Sequence, residues 1–350
     1  MRRKAKWFML ILAGSIAGLV LYFGIPIIQF GMGIHDSDGD SLFDPVRDRN
    51  PDSQQGAFTP PAWEGKERVN ILLLGGDSRG LGPTEVPRAD AIMIVSVDPV
   101  TKKASLLSVL RDTYVQIPGH GMNRINAALS LGGPELAMKT VSELTGLDMQ
   151  FYVYADFEGF IRLVDAMGGV DFYVEKNMYY PDEIPEYSIN LKEGYQHLDG
   201  RKALQYVRFR HDALSDYTRT ERQRNFLKAL AEKAQSPATL IRLPKLLNEV
   251  EPYIETNLTL FRMMQLGTLG LSLDLGSTAS LQIPPKELLR EEETAWGASV
   301  ITVNETLLQE WIREQLEAQS EPEPGGTGES GESGEAGEGG GETGDSREAG

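Results

Sequence analysis

The longest apolar run lies at the amino terminus. No residue from Trp7 to Ile34 is charged, and Trp7–Phe30 is long enough to cross a bilayer as one helix. The apolar core of a cleaved signal is usually about 7–15 residues, so the pattern predicts an uncleaved transmembrane anchor over residues 7–30. Residues 1–6, MRRKAK, are basic and the residues after the anchor are acidic. That asymmetry predicts a cytoplasmic amino terminus on a single-pass protein of the cell membrane, with the remainder outside. Beyond residue 66 the periodicity changes. VNILLLGGD is a continuous apolar run closed by a glycine turn, the pattern of a strand buried on both faces. AIMIVSVD and KKASLLSV read as two further strands joined by a turn at Asp98-Pro99. A helix is predicted from Pro134 to Leu144 and stops at Gly146. A second is capped by Asp156, carries Phe157, Phe160, Ile161 and Val164 on one face, and ends at Gly168-Gly169. VDFYVE follows as a strand, and Asn177–Gln196 as an irregular loop suited to lie over a site. Residues 241–318 alternate helical patterns with short strands and supply the remaining layers of a domain spanning residues 67–318.

Residues 31–66 read as a juxtamembrane stalk that contains Pro. Within it Asp36, Asp38, Asp40, Asp44 and Asp48 have a spacing like that of calcium loops, in which alternating carboxylates wrap a hard cation. Ser41 stands where an EF-hand needs its turn glycine and no Glu closes the loop, so a solvated acidic linker competes with a Ca²⁺ site. From residue 319 the chain turns into a Gly/Glu/Ser tail with too few apolar residues to fold, which predicts disorder to residue 350.

Composition narrows the chemistry. There is no Cys, which excludes disulfides, thiolate metal sites and Cys nucleophiles. A formal net charge of -17 argues against general nucleic-acid binding. The four His form no metal pair at helical spacing, and His197 and His211 read as structural or rim residues. Against this acidic background the stretch LQYVRFRHDALSDYTRTERQ concentrates Arg208, Arg210, Arg219 and Arg222. Read as strand, loop and helix, it places Arg208 and Arg210 on one face of the strand, and Arg219, Arg222, Gln223 and Phe226 on one face of the helix. Arg grips phosphate bidentately and does not lose its charge. Asp77 ends the first strand, where open α/β sheets put ligands, and Asp90 begins the second. With Arg111 they form a kit for a pyrophosphate: carboxylates for Mg²⁺ or Mn²⁺, and guanidiniums for the remaining charge.

The motifs LLLGGDSR, RADAIMIVSVD, RDTYV, NRINAA, DFEGF, VDAMGGVDF, LDGRKALQYVRFR and DYTRTERQ occur in this order between residues 69 and 231. In this respect the chain resembles the LytR–CpsA–Psr family of membrane-anchored envelope phosphotransferases. Leu110 stands where that family usually has Pro, and Arg124 where it often has Lys. The resemblance implies a three-layer α/β/α sandwich with a mixed central sheet. It implies transfer of a glycopolymer, with its phosphate, from a polyprenyl-pyrophosphate carrier to a peptidoglycan hydroxyl. Asp77 and Asp90 would serve the metal, and Asp77 would also assist deprotonation of the acceptor. Arg111, Arg208 and Arg210 would hold the pyrophosphate, supported by Arg79, Arg88, Arg124, Arg219, Arg222 and Gln223. The helix with Phe157, Phe160, Ile161 and Val164 would wall a lipid tunnel. Hydrolysis by the same residues, or a calcium-dependent surface-binding role without catalysis, remain as alternatives.

Overall fold

The computed structural model describes residues 22–33, 41–49, 58–79, 81–82, 85–184, 187–211 and 215–320. At its centre is a six-stranded sheet of β1 (Val69–Gly76), β2 (Ala89–Val97), β3 (Ala104–Val109), β4 (Phe151–Asp156), β5 (Ile254–Thr256) and β6 (Ala279–Ile283). Their spatial order is β5-β4-β1-β2-β3-β6. The sheet is mixed: β1 runs parallel to β4 and antiparallel to β2, while β3 runs antiparallel to β2 and parallel to β6. The carboxyl ends of β1, β3, β4 and β6 therefore meet at one edge, the edge at which open α/β sheets bind ligands.

Among the described residues from 41 onward, eight α-helices complete the layers: α1 (Asp44–Arg49), α2 (Ala127–Thr145), α3 (Phe157–Ala166), α4 (Gly200–Arg208), α5 (Ser215–Ala234), α6 (Pro237–Val250), α7 (Leu260–Leu271) and α8 (Glu305–Ser320). Alternate side chains explain why the strands read as unbroken apolar runs. Leu72, Leu74, Ile94 and Leu107 face one way and pack with Met138 and Val141 of α2 and Leu308 and Ile312 of α8. Leu73, Met93 and Val153 face the other way, toward α3, α4 and α5. On that side Val164, Tyr206, Phe226 and Leu246 join α3, α4, α5 and α6 in a second core.

Local signals place several boundaries as expected. Asp156 accepts the Gly159 amide at 2.6 Å and caps α3. Gly146, at φ 70°, closes α2 in the left-handed conformation. Helix α2 begins before Pro134, however, and is interrupted at Gly132 and Gly133, from which Pro134 restarts it.

Three other readings change. The stretch around Leu204 is helical, not extended: Asp199 accepts the Lys202 amide at 2.8 Å and starts α4, which buries Ala203, Leu204 and Tyr206. The loop at 177–196 contains a short hairpin, Met178–Tyr180 with Ile189–Leu191, and the start of the strand Gly194–Leu198. That strand pairs with Val170–Val174 apart from the central sheet. The predicted stalk is in part packed: Phe43 and Val46 are buried in the first core, and Trp63 is buried beside Phe151.

The predicted anchor lies outside the described residues up to residue 21. Residues 22–33 are helical, and no helix among the described residues is long and apolar enough to cross a membrane. Asp36, Asp38 and Asp40 of the candidate calcium loop are outside the described residues, as is the tail from residue 321. Asp44 opens α1 instead, accepting the Ser41 amide at 2.9 Å and lying 3.7 Å from Arg47.

Candidate active site

Asp77 follows β1 directly, and its partner Asp90 is aimed by an irregularity in the sheet. Gly75 pairs with Ala91 and Gly76 with Ala89, so Asp90 is left over as a bulge. A bulge turns one side chain out of the ladder, and here it turns a carboxylate toward the ligand edge. Arg111 leaves the end of β3 and places Nη1 2.6 Å from Asp90 Oδ1, while Arg210 Nη2 lies 3.7 Å from the same oxygen. Arg79 folds back on Asp77 with two bonds, 2.7 Å from Nε and 2.8 Å from Nη2.

Two cavities meet at these carboxylates. An open cleft of about 990 Å³ is lined by Asp77, Arg88, Asp90, Arg111, Asp112 and Arg124, among others. A slot of about 330 Å³ runs between the sheet and α3, α4 and α5. Its body is apolar, with Leu73, Met93, Phe160, Leu163, Phe226 and Leu230. Its mouth carries Asp77, Asp90, Arg208, Arg210, Arg219 and Gln223. Of the residues expected to wall a tunnel, Phe157 and Phe160 line the slot. Val164 is packed in the core, and Ile161 faces a separate small cavity beside Arg201.

The guanidiniums crowd one another. Burial, together with Arg79, pushes the Arg208 guanidinium below its ordinary value against the pull of Asp77 and Asp90. Burial and Arg111 do the same to Arg210. Burial and Arg210 bring Arg219 down to about 10, which still leaves it protonated at neutral pH. Cations held this close to one another favour an added anion. The Arg208 guanidinium makes no hydrogen bond or ion pair among the described residues. It is steadied by the rings of Phe157 and Tyr187, at 5.2 and 5.6 Å, and Arg79 stacks on the same two rings. Tyr187 belongs to the segment expected to cover the site; its role had no signal in the sequence beyond that of an aromatic in a polar loop.

Not every expected arginine reaches the mouth. Arg222 turns away: Nε binds Glu175 at 2.6 Å and Nη1 donates to the Phe209 carbonyl at 3.1 Å. Glu175 also accepts the Tyr206 hydroxyl at 3.0 Å. Arg222 therefore holds the backbone between Arg208 and Arg210 rather than an anion. Gln223 does line the slot and donates to the Val207 carbonyl at 3.4 Å. Arg124 ties Asp112, at 3.5 Å, to the Ser299 carbonyl, at 2.7 Å, on the wall of the cleft. Arg88 is exposed on the cleft rim. His197 is bonded to Asp171 on the surface and His211 stacks on Tyr180; neither lines the cleft or the slot.

Burial alone would raise the Asp77 carboxyl, but hydrogen bonds from Arg79 and the charges of Arg79 and Arg208 outweigh it and hold it below the usual range. A carboxyl depressed in the folded state stabilises the fold above its unfolded pKa, and that contribution is lost as pH falls through the folded value. Arg79→Ala is therefore expected to raise the Asp77 titration and to remove this contribution, which is present at neutral pH and lost in acid. Carboxyl NMR titration and melts at several acid pH values check both.

An α/β domain whose strand ends join a guanidinium cluster to an apolar slot defines a class of proteins suited to an anion that carries an apolar chain. The chain belongs to the LytR–CpsA–Psr family: the LytR_cpsA_psr family model matches residues 35–317. Regulatory protein MsrR of Staphylococcus aureus (strain COL) is 33% identical over 255 residues, which cover 71% of this chain and 75% of that one. The polyisoprenyl-teichoic acid–peptidoglycan teichoic acid transferase TagU of Oceanobacillus iheyensis is 33% identical over 237 residues, covering 65% of this chain and 71% of TagU. Among solved structures, YwtF (TagT) with bound octaprenyl pyrophosphate lipid matches with a TM-score of 0.55 and 28% identity, over 74% of this chain and 92% of that one.

Proposed function

We propose that this protein transfers a glycopolymer, with its linking phosphate, from a polyprenyl-pyrophosphate carrier to a peptidoglycan hydroxyl at the outer face of the membrane, anchored there by residues 7–30. The observation that carries this reading is the junction of the arginine-lined mouth with the apolar slot. A polyprenyl chain fits the slot and its pyrophosphate the mouth, which leaves the sugar in the open cleft. The likeness to a teichoic acid transferase and to a structure holding a prenyl pyrophosphate supports the same assignment.

In the reaction the acceptor hydroxyl oxygen attacks the phosphorus that bears the sugar. The bond from that phosphorus to the bridging oxygen breaks, polyprenyl phosphate leaves, and the hydroxyl proton passes to a base. Arg111, Arg208, Arg210 and Arg219 take up the charge that develops on the leaving phosphate. Asp77, ionised at neutral pH and lining both the cleft and the slot, would receive the proton.

Asp77 and Asp90 offer hard oxygen donors, and among the described residues no group of three or more His, Cys, Asp or Glu is placed to hold a metal. Two carboxylates suit Mg²⁺ or Mn²⁺ when phosphate oxygens and water complete the shell. Asp77 and Asp90 would hold such an ion, which would neutralise pyrophosphate charge.

The test uses the full chain in detergent, a polyprenyl-pyrophosphoryl sugar and peptidoglycan fragments, with and without Mg²⁺. Metal-dependent sugar-phosphate transfer that disappears in Asp90→Ala is expected. Release of polyprenyl phosphate without transfer would replace the acceptor assignment with hydrolysis. No turnover of a matched donor by a folded chain would sink the reading.

A further inference from the structure

The arginine cluster has an acidic node behind it that the reaction above does not use. Asp112 follows Arg111 in the loop after β3, and Asp216 lies in the first turn of α5. Burial, with the charge of Asp216 nearby, pushes the Asp112 carboxyl above its ordinary value against the pull of Arg111 and Arg124. One oxygen of each lies 3.7 Å from Nε of Arg111. That Nε is buried and makes no hydrogen bond, so the node steers it by charge alone. The far end of the same guanidinium meets Asp90 at 2.6 Å. The other Asp216 oxygen lies 3.1 Å from Nη2 of Arg219, whose side chain is 3% exposed at the slot mouth. The other Asp112 oxygen lies 3.5 Å from Arg124. One pair of neighbouring carboxylates thus reaches three arginines from three separate elements.

We propose that Asp112 and Asp216 act as one positioning node that aims Arg111 and Arg219 at the donor pyrophosphate. The inference rests on the donor reading above. Its consequence is opposite to that of simple electrostatics. Taking a carboxylate away from a site that binds an anion ordinarily strengthens binding, because a repulsion is removed. If the node sets where the guanidiniums point, its loss weakens binding, since Arg111 and Arg219 lose their orienting partners. An Asn in place of Asp216 removes a charge but keeps an oxygen acceptor of the same reach for Arg219, so it preserves the aim.

The experiment is calorimetric titration of the full chain in detergent with inorganic pyrophosphate in the presence of a chelator, so that only the arginines are read. A thermal melt of each variant accompanies it. Asp112→Ala and Asp216→Ala are expected to bind about tenfold more weakly or worse, and Asp216→Asn within about threefold of wild type, with melts of Asp216→Ala and Asp216→Asn alike. Asp216→Ser keeps a helix-starting side chain too short to reach Arg111. It stands in if Ala at this helix start prevents folding, and it is expected to bind as weakly as Ala. Equal or tighter binding by the folded Ala or Ser variants would overturn the node while leaving the donor site intact. Absence of pyrophosphate binding by the wild type would overturn the donor reading, and the node with it.

Discussion

Arg208→Ala is expected to lower transfer by about 10²–10³-fold, the usual cost of losing one preorganised donor to a developing oxyanion. Arg208 lies at the end of α4, and its guanidinium faces the slot mouth without an ion pair among the described residues. On the proposed reading it would therefore bring an unspent charge and a planar fork to the leaving phosphate. In the resting protein burial and the neighbouring Arg79 disfavour its charge, so its removal relieves crowding. The fold loses only stacking on Phe157 and Tyr187, an interaction of about 0.5–1 kcal/mol when partly exposed. Activity should thus collapse while the melting temperature barely moves. Arg208→Lys should recover little, because a point charge does not reproduce a bidentate fork. Turnover measured beside thermal melts decides the matter. A loss of less than about fivefold would remove Arg208 from the machinery.

Phe43→Ala is expected to cost about 3–5 kcal/mol of stability, the range for emptying a buried aromatic site. Phe43 is 0% exposed and sits edge-on to Tyr154 of β4 at 5.0 Å. It packs just before α1, which Arg47 pins to Glu135 of α2 at 2.9 Å and to Glu255 of β5 at 3.5 Å. A segment acting only as a spacer would show no such loss. Denaturant titration of the full chain in detergent measures it, and a change under about 1 kcal/mol would mean that the segment does not belong to the core.

The two sites differ in how far the sequence announced them. The carboxylates and arginines were legible because they recur in short motifs, in the order of the family that the chain resembles; their charge alone suits a solvated face or a cap equally well. Asp77, Asp90, Arg111, Arg208 and Arg210 were named in the sequence; the structure brings Asp77, Asp90, Arg208 and Arg210 to the slot mouth, and Arg111 reaches Asp90 from the adjoining cleft. The strands were legible for a local reason: runs such as VNILLLGG and AIMIVSV admit few alternatives when both faces are covered.

What stayed hidden depends on contacts distant in sequence. The residues around Leu204 have a strand-like alternation of apolar and basic side chains, yet the cap at Asp199 and the packing of Tyr206 against Phe172 and Phe226 make them a helix. Arg222 shares a helical face with Arg219, but Glu175, 47 residues earlier, claims its charge. Phe43 looked like part of a spacer because its neighbours are acidic, and a sequence window does not contain Tyr154. The bulge that frees Asp90 exists only in the register between β1 and β2. Local composition thus specified which residues carry charge and which strands are buried, since both follow from solvation of single side chains. Which arginines face the anion, which brace the backbone, and where the domain begins followed from pairings across the fold. Burial, hydrogen-bond geometry and opposing charge select those pairings only when distant segments are brought together.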